Sequence, residues 1–149
     1  DDLEADDALG IYATKFPGNI IVSPDKDLRQ IPGDLYNLRE PVEEIKADDA
    51  LRWFYIQTMA GDMTDGYSGI PTVGVKRADA ILEKNGCSWD TVLNAFLEKG
   101  LTEEDALMNA RLAKILTKDD YVNGRLKLWN PPNASDRADV GATVQDESD

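Results

Sequence analysis

The sequence has no histidine and only one cysteine, Cys87, among its 149 residues. Without histidine the chain cannot form a Ser-His-Asp triad or a Cys-His pair, and one thiol cannot form a thiolate zinc site or an internal disulfide. Whatever reaction the chain catalyses must therefore depend on carboxylates, amides and lysines.

Long apolar runs are also absent from the sequence. No stretch of about 18 apolar residues predicts a membrane span, and no charged, apolar, small-residue leader predicts export. The single cysteine agrees with a reducing cytoplasm, which is the location that the sequence favours. The length of 149 residues and the hydrophobic content of 42% predict about one domain with a core of ordinary size.

Positive charge is scarce, since 16 Lys and Arg residues face 29 Asp and Glu residues and the net charge is -13. This balance argues at first against a nucleic-acid partner, because phosphate binding usually depends on clustered Lys and Arg. The objection weakens where acidic residues bind metal ions, because each Mg²⁺ offsets two negative charges.

Helical periodicity and end signals predict five helices, at residues 1–16, 47–61, 75–86, 88–100 and 102–117. Pro17 and Gly18 end the first helix. Ser88 is the predicted cap of the fourth helix, and Thr102 with Asp105 three residues later resembles a capping box at the start of the fifth.

Strand signals are fewer. Residues 19–23, NIIVS, predict a buried strand, and the PDKD that follows places two aspartates where open α/β sheets collect their ligands. Residues 28–46 look irregular apart from a short strand predicted at LYNL. Residues 121–129 alternate around Asn123-Gly124, a signal for a two-residue β-hairpin. From residue 130 to 149 the chain is polar and aperiodic, which predicts a disordered tail.

The predicted strand at 19–23 has no predicted neighbour, although a buried parallel strand needs partners on its edges. The chain also begins with Asp1 and not with Met. Both points favour the C-terminal part of a larger protein whose earlier strands are missing.

Three acidic groups could together hold metal ions: EADD at residues 4–7, PDKD at 24–27 and GDMTD at 61–65. Mg²⁺ prefers carboxylate oxygens, and a two-metal site needs several carboxylates from different segments. Each group alone is more simply a solvated face or a helix start, where acidic residues are favoured electrostatically. An EF-hand is excluded, because the alternating ligands and the closing Glu are missing.

The sequence GIPTVG, residues 69–74, lies between two predicted helices and is followed by Lys76 and Arg77. Its glycines allow close backbone approach, and the amides at the start of the next helix are anion donors. The turn could therefore hold a DNA phosphate without reading bases. A tight connector in a helical bundle explains it equally well.

In this order and at these separations, EADD, SPDKDLRQI and GDMTDGYSGIPTVGVKRADAIL resemble the motifs of the 5'-nuclease family. That family includes the flap endonucleases, the 5'-3' exonuclease domain of bacterial DNA polymerase I and phage 5'-3' exonucleases. The resemblance covers about residues 3–118, and YVNGRLKLWNP is a weaker match to short phage exonucleases. Gly66 stands where cellular members often have Asn.

The resemblance implies seven metal ligands: Glu4, Asp6, Asp7, Asp25, Asp27, Asp62 and Asp65. The first three would serve one metal ion, the next two would lie between the ions, and the last two would serve the second ion. Asp7, Asp25 and Asp27 are the implied catalytic residues. The implied ions are two Mg²⁺, with Mn²⁺ as the alternative.

The resemblance also implies that residues 69–74 form a helix-hairpin-helix turn, which in the family grips the duplex backbone with help from a monovalent cation such as K⁺. The implied DNA-binding residues are Gly69, Ile70, Pro71, Thr72, Val73, Gly74, Lys76 and Arg77.

The implied fold is α/β. Residues 1–46 would be the C-terminal part of a PIN-like (resolvase-like) parallel-sheet nuclease core, truncated at its N-terminus, and residues 47–129 a mainly helical helix-hairpin-helix subdomain. The family's first metal-binding strand, a second Asp and the basic arch all precede EADD and are not in this chain. The implied activity is 5'-3' exonuclease or 5' flap endonuclease action on DNA, in a bacterial or phage-infected cell. This chain alone, without its N-terminal partner segment, is expected to have little activity or none.

Two other classes stay open. A non-catalytic DNA-binding module would use the hairpin and leave the acidic groups structural, and a helical protein-interaction domain would need neither. Arg111, Lys114 and Lys118 share a predicted helical face that is either solvated or in contact with phosphate.

Overall fold

The computed structural model describes residues 3–132, which form a mixed α/β fold. The helices in this range are α1 (Ala5–Lys15), α2 (Ala47–Ala60), α3 (Val75–Asn85), α4 (Trp89–Glu98) and α5 (Glu103–Ala113). The strands are β1 (Ile20–Val22), β2 (Gly33–Tyr36), β3 (Glu43–Ile45), β4 (Tyr121–Val122) and β5 (Arg125–Leu126), with a 3₁₀-helix at Lys26–Gln30. Residues 130–149 are predicted to be a disordered tail, and most of these residues lie outside the described range.

The helix caps predicted from the sequence are confirmed. Ser88 accepts a hydrogen bond from the backbone N–H of Thr91 at the start of α4, and Thr102 and Asp105 form a reciprocal capping box at the start of α5. The predicted β4–β5 hairpin is also present, with Asn123 and Gly124 at φ 53° and 72°. These positive angles are what a tight hairpin turn requires.

Helix α5 ends at Ala113, four residues before the predicted end at Thr117. The backbone leaves the helix at Lys114, with φ -65° and ψ 124°. The freed N–H groups of Ile115 and Leu116 then bond to the side chains of Gln30 and Asp7. Tertiary hydrogen bonds therefore replace the last helical turn.

The prediction of a buried strand without neighbours is wrong. β1 pairs in parallel with β2, which overlaps the short strand predicted at LYNL. β2 pairs antiparallel with β3, which lies in the segment predicted to be irregular. The sequence signal for these two strands was weak, because β2 starts at a glycine and β3 carries two glutamates. In β1 only Ile21 is buried, whereas Ile20 and Val22 are 52% and 54% exposed.

Two hydrophobic clusters stabilise the fold. The larger lies among α2, α3, α4, α5 and the turn at 69–74, and its fully buried side chains include Trp89, Tyr55, Phe96 and Met59. Trp129 packs edge-on against Phe54 and Trp89, with ring centroids 5.1 and 5.0 Å apart. The smaller cluster lies under the three-stranded sheet and consists of Ile21, Leu28, Ile31, Leu35, Ile45, Ala50 and Ile115.

Helix α1 exposes most of its apolar side chains. Leu9, Tyr12 and Phe16 are 37%, 58% and 47% exposed, and the residue of α1 that is buried is Gly10. A side chain at Gly10 would place Cβ only 2.3 Å from the carbonyl oxygen of Leu116, so glycine allows α1 to approach the segment after α5. Among the described residues, no helix is long and apolar enough to cross a membrane.

Candidate metal centre and hairpin

Carboxylates from three separate segments meet beside the sheet. Asp6 lies in the first turn of α1, Asp25 and Asp27 lie just after β1, and Asp62 and Asp65 lie in the loop after α2. They form two groups, Asp6 with Asp25 and Asp27, and Asp27 with Asp62 and Asp65. Within each group, one carboxylate oxygen of every residue lies within 4.8 Å of the others. Asp27 belongs to both groups.

The turn after β1 is held by its own side chains. Ser23 Oγ accepts a hydrogen bond of 3.1 Å from the backbone N–H of Asp25, and Asp25 Oδ1 accepts one of 2.9 Å from the N–H of Asp27. Asp25 is thereby the N-cap of the 3₁₀-helix. This cap fixes Asp25 and Asp27 side by side at the end of the strand, where the sequence placed them.

The loop that carries Asp62 and Asp65 is closed by hydrogen bonds. Asp62 and Tyr67 exchange two backbone hydrogen bonds of 2.8 and 3.1 Å, and Asp62 Oδ1 accepts a third from Thr64 N at 3.0 Å. Gly66 has φ 85°, in the left-handed region that glycine and asparagine both adopt. Glycine at position 66 therefore allows this loop to turn without backbone strain.

Burial and neighbouring carboxylates disfavour the charged forms of Asp6 and Asp27, whose pKa values are raised. Burial raises the pKa of Asp6 from 3.8 to about 6, with further contributions from a hydrogen bond with Asp25 and from the charges of Asp25, Asp7 and Glu4. Burial also raises the pKa of Asp27 to about 6, and the nearby Asp25 and Asp65 act in the same direction. A divalent cation would relieve this repulsion, and the donors are the oxygens that Mg²⁺ and Mn²⁺ prefer. The acidic groups could therefore bind divalent metal ions.

The other two predicted ligands, Glu4 and Asp7, lie outside both carboxylate groups. They line the same cavity of about 410 Å³ as Asp6, Asp27 and Asp65. Glu4 is exposed, and Asp7 Oδ1 accepts a hydrogen bond of 3.0 Å from the backbone N–H of Leu116. One oxygen of Asp7 is thus occupied by the fold.

The acidic loop and the hairpin turn are joined by backbone packing. A Cβ on Gly61 would lie 2.3 Å from the backbone of Ser68, and a Cβ on Gly69 would lie 2.5 Å from Gly61 N and from Met59 O. The N–H of Gly69 also donates to Asn109 Oδ1 of α5 at 2.8 Å. The two halves of GDMTDGYSGIPTVG therefore form one rigid unit.

The structure separates the residues predicted to bind DNA into two sets. Gly69, Ile70 and Val73 are buried, and the side chains of Ile70 and Val73 belong to the larger core. The exposed set consists of Pro71, Thr72, Gly74, Lys76 and Arg77.

The predicted basic face on α5 is not a helical face, because the helix ends before Lys114. Arg111 Nε donates to the carbonyl oxygen of Trp129 at 2.9 Å. Lys114 Nζ forms a 3.0 Å ion pair with Asp120. These two cations hold the segment after α5 in place, whereas Lys118 is exposed.

Sequence reasoning missed two residues beside the carboxylates. Gln57 Nε2 donates a hydrogen bond to Asp27 Oδ1. The sequence contained a signal for Gln57, because it is a polar residue on the same buried face of α2 as Phe54. Tyr67 is also buried, and burial together with Asp27, Asp62 and Asp65 raises the pKa of its phenol, so it stays neutral.

No protein-family model matches the chain. A protein named exodeoxyribonuclease from Enterobacteria phage T3 is 39% identical over 79 residues, an alignment that covers 48% of this chain and 26% of that protein. A DNA polymerase I from Rhizobium leguminosarum is 33% identical over 104 residues, which cover 60% of this chain and 10% of the polymerase. A 5'-3' exonuclease from Streptomyces coelicolor is 32% identical over 100 residues, with coverages of 56% and 33%. The chain spans a third or less of the length of these relatives.

Fold and site together define a mixed α/β protein with a carboxylate centre that could bind divalent metal ions. The similarities add that the chain is a relative of the 5'-3' exonucleases over about half of its length, which confirms the resemblance drawn from its motifs.

Proposed function

We propose that this chain is the C-terminal part of a nuclease that hydrolyses DNA phosphodiesters as a 5'-3' exonuclease or 5' flap endonuclease. The observation that carries the proposal is the position of Asp27 in two carboxylate groups at once. A single shared carboxylate is what two neighbouring metal ions require. Solvated acidic faces have no reason to converge from three segments.

The carboxylates would hold two divalent ions, with Asp6 and Asp25 on one side of Asp27 and Asp62 and Asp65 on the other. When bound, such ions activate a water for in-line attack and stabilise the leaving oxygen. The protein's part is to fix the ligands before substrate arrives, through the Asp25 cap and the closed loop after α2.

Glu4 and Asp7 have a different place in the proposed site. They line the cavity beside the first carboxylate group and would act on its ion through water, since Mg²⁺ keeps several waters in proteins. Asp7 is fixed for this by its hydrogen bond to Leu116 N.

The hairpin would hold the duplex backbone through its exposed set of residues and the first amides of α3. Gly74 is the N-cap of α3 and has no side chain that bonds to those amides. Phosphate binding at such a helix start needs no base contact, so specificity would follow DNA ends and junctions. A K⁺ ion at the turn belongs to the same proposal.

We further propose that residues 1–46 complete a PIN-like core supplied mainly by an upstream segment, and that residues 47–129 form the helix-hairpin-helix subdomain. The exposed apolar side chains of α1 and β1 support this division, because the described residues leave them uncovered. The larger hydrophobic cluster lies wholly within residues 47–129, and the smaller one lies mainly within residues 1–46, with Ala50 and Ile115 added from the second part.

The proposed activity can be tested with the chain joined to the proposed upstream segment. Mg²⁺-dependent release of nucleotides from 5'-labelled duplex, with a flap substrate in parallel, is the expected result. Chelation should stop the reaction, and Mn²⁺ should restore it. A joined protein that binds duplex but releases nothing in Mg²⁺ or Mn²⁺ would favour the non-catalytic DNA-binding module. Absence of both metal binding and salt-sensitive DNA binding would favour a protein-interaction domain.

Gly74→Ala separates DNA binding from folding. Gly74 has ordinary φ of -96° and open space around its missing Cβ, so alanine should change the free energy of unfolding by about 1 kcal/mol or less. The added methyl would occupy open space at the N-cap of α3, where the proposed phosphate contact lies, and we expect weaker binding of duplex DNA at unchanged metal affinity.

Fluorescence anisotropy with labelled duplex at two salt concentrations measures this effect. Gly86→Ala is the structural comparison, because Gly86 ends α3 at the opposite end of the helix, with φ 99°. It should lower stability without a specific effect on DNA affinity. Wild-type DNA affinity in Gly74→Ala would remove the hairpin from the proposed interface.

A further inference from the structure

A chain of buried hydrogen bonds leads from the end of α5 to the shared carboxylate. The backbone N–H of Ile115 donates to Gln30 Oε1 at 2.9 Å. Gln30 Nε2 donates to Ala113 O and to Gln57 Oε1, both at 2.6 Å. Gln57 Nε2 then donates to Asp27 Oδ1. Both glutamines are almost fully buried, at 7% and 5% exposure.

The direction of this chain is fixed by the backbone. A glutamine amide can usually be turned over, so that its oxygen and nitrogen exchange places. Here Ile115 N–H can only donate, which requires the oxygen of Gln30 at that position, and Ala113 O can only accept, which requires its nitrogen. The Gln30 nitrogen then requires the oxygen of Gln57, and the nitrogen of Gln57 must face Asp27.

We propose that Gln30 and Gln57 are positioning residues that hold the Asp27 carboxylate in the orientation needed to serve both metal groups. This inference rests on the proposed function. With Gln57 bonded to Oδ1, the Asp27 carboxylate cannot rotate freely. Second-layer hydrogen bonds of this kind commonly set metal affinity by orienting a ligand.

The segment after α5 positions a second acidic residue in the same way. Leu116 N donates to Asp7 Oδ1 at 3.0 Å, one residue beyond the Ile115 N–H that holds Gln30. The early end of α5 thus frees two consecutive N–H groups, each of which fixes a side chain of the candidate site. This explains why the chain leaves the helix at Lys114 although the sequence favours its continuation.

The test compares divalent-metal affinity in the full chain, using calorimetry with Mn²⁺ and thermal shift with Mg²⁺. Gln57→Leu removes the donor to Asp27, and we expect an affinity about 10 to 100-fold lower than that of the wild type. Gln30→Leu should lower affinity less, because it acts only by leaving the Gln57 amide free to turn. The double variant should bind metal no more weakly than Gln57→Leu alone, since both residues act through one contact with Asp27.

Thr58→Val is the matched control, because Thr58 is the next residue of α2 and is buried. Its hydroxyl donates to the carbonyl oxygen of Phe54 at 2.9 Å and touches no ligand of the site. It should lower stability without changing metal affinity, which separates positioning from general loosening of the helix. Gln57→Met gives a second variant of similar side-chain size that lacks the donor, adds no charge and should also bind metal more weakly.

The outcomes distinguish this inference from the proposed function. Wild-type metal affinity in Gln57→Leu and Gln57→Met, with a wild type that does bind metal, overturns the positioning role alone. A wild type with no response to Mn²⁺ or Mg²⁺ overturns both the metal centre and the positioning role. A loss of affinity in Thr58→Val as large as that in Gln57→Leu would also contradict the inference.

Discussion

Asp27→Asn is expected to abolish the thermal stabilisation of the chain by Mg²⁺ while making the metal-free protein more stable. Asp27 is shared by both carboxylate groups, so its loss should weaken two metal positions at once. Loss of a second-layer partner costs about 10 to 100-fold in metal affinity, and loss of the ligand itself should cost more. In a protein joined to the proposed upstream segment, the same variant should lack the proposed Mg²⁺-dependent hydrolysis.

The gain in metal-free stability follows from the raised pKa of Asp27, about 6 against 3.8. A carboxyl whose pKa is raised by folding destabilises the folded state when it is ionised. The wild type should therefore become more stable as the pH falls from 7 through 6 towards 4, relative to Asp27→Asn, in which this contribution is absent. At pH 7 without metal, we expect the Tm of the variant to be roughly 2 to 5 °C higher than that of the wild type. The increase is limited because solvent partly screens the charges of the site.

Thermal unfolding with and without Mg²⁺ measures both effects. At about 100 times the Kd, a bound ion should raise the wild-type free energy of unfolding by about 2.7 kcal/mol. Glu40→Gln is the charge-matched control, because Glu40 is exposed and far along the chain from the carboxylate groups. The double variant Asp25→Asn with Asp62→Asn should match Asp27→Asn in its loss of response. A normal Mg²⁺ response in Asp27→Asn would contradict the shared site.

Local signals explain why much of the fold was predictable. The caps at Ser88 and Thr102 and the turn at Asn123-Gly124 depend on side chains and backbone angles within a few residues, and all three are confirmed. The grouping of Asp25 and Asp27 at the end of a strand was predictable for the same reason. Their spacing is set by a local cap and not by distant contacts.

Long-range contacts explain what was missed. β3 pairs with β2 although it carries two glutamates, because its sheet position is stabilised by Ile45 in the smaller core. The end of α5 is set by Gln30, 85 residues away along the chain. A sequence pattern within α5 cannot contain this information. The same holds for Gln57, whose role depends on Asp27 from another segment.

Gly61→Ala and Gly69→Ala are each expected to lower the free energy of unfolding by about 3 kcal/mol or more. Both positions have positive φ, 73° and 63°, which disfavour alanine by about 1 to 2 kcal/mol. In addition, the new Cβ would lie 2.3 to 2.6 Å from backbone atoms that have no rotamer to adopt, and overpacking of this kind costs about 1 to 3 kcal/mol. Urea unfolding of the full chain measures the loss.

Gly66→Ala is the control for backbone angle alone. Gly66 has φ 85° but nothing within 4 Å of its missing Cβ, so alanine there should cost only about 1 to 2 kcal/mol. If Gly61→Ala lowers the free energy of unfolding no more than Gly66→Ala does, the close contact between the acidic loop and the hairpin does not stabilise the fold. We expect the loss in Gly61→Ala to be larger than that in Gly66→Ala. Gly61→Ala and Gly69→Ala should then each lose metal affinity and DNA affinity together. That joint loss would follow because Asp62 and Asp65 and the hairpin turn depend on the same backbone contact.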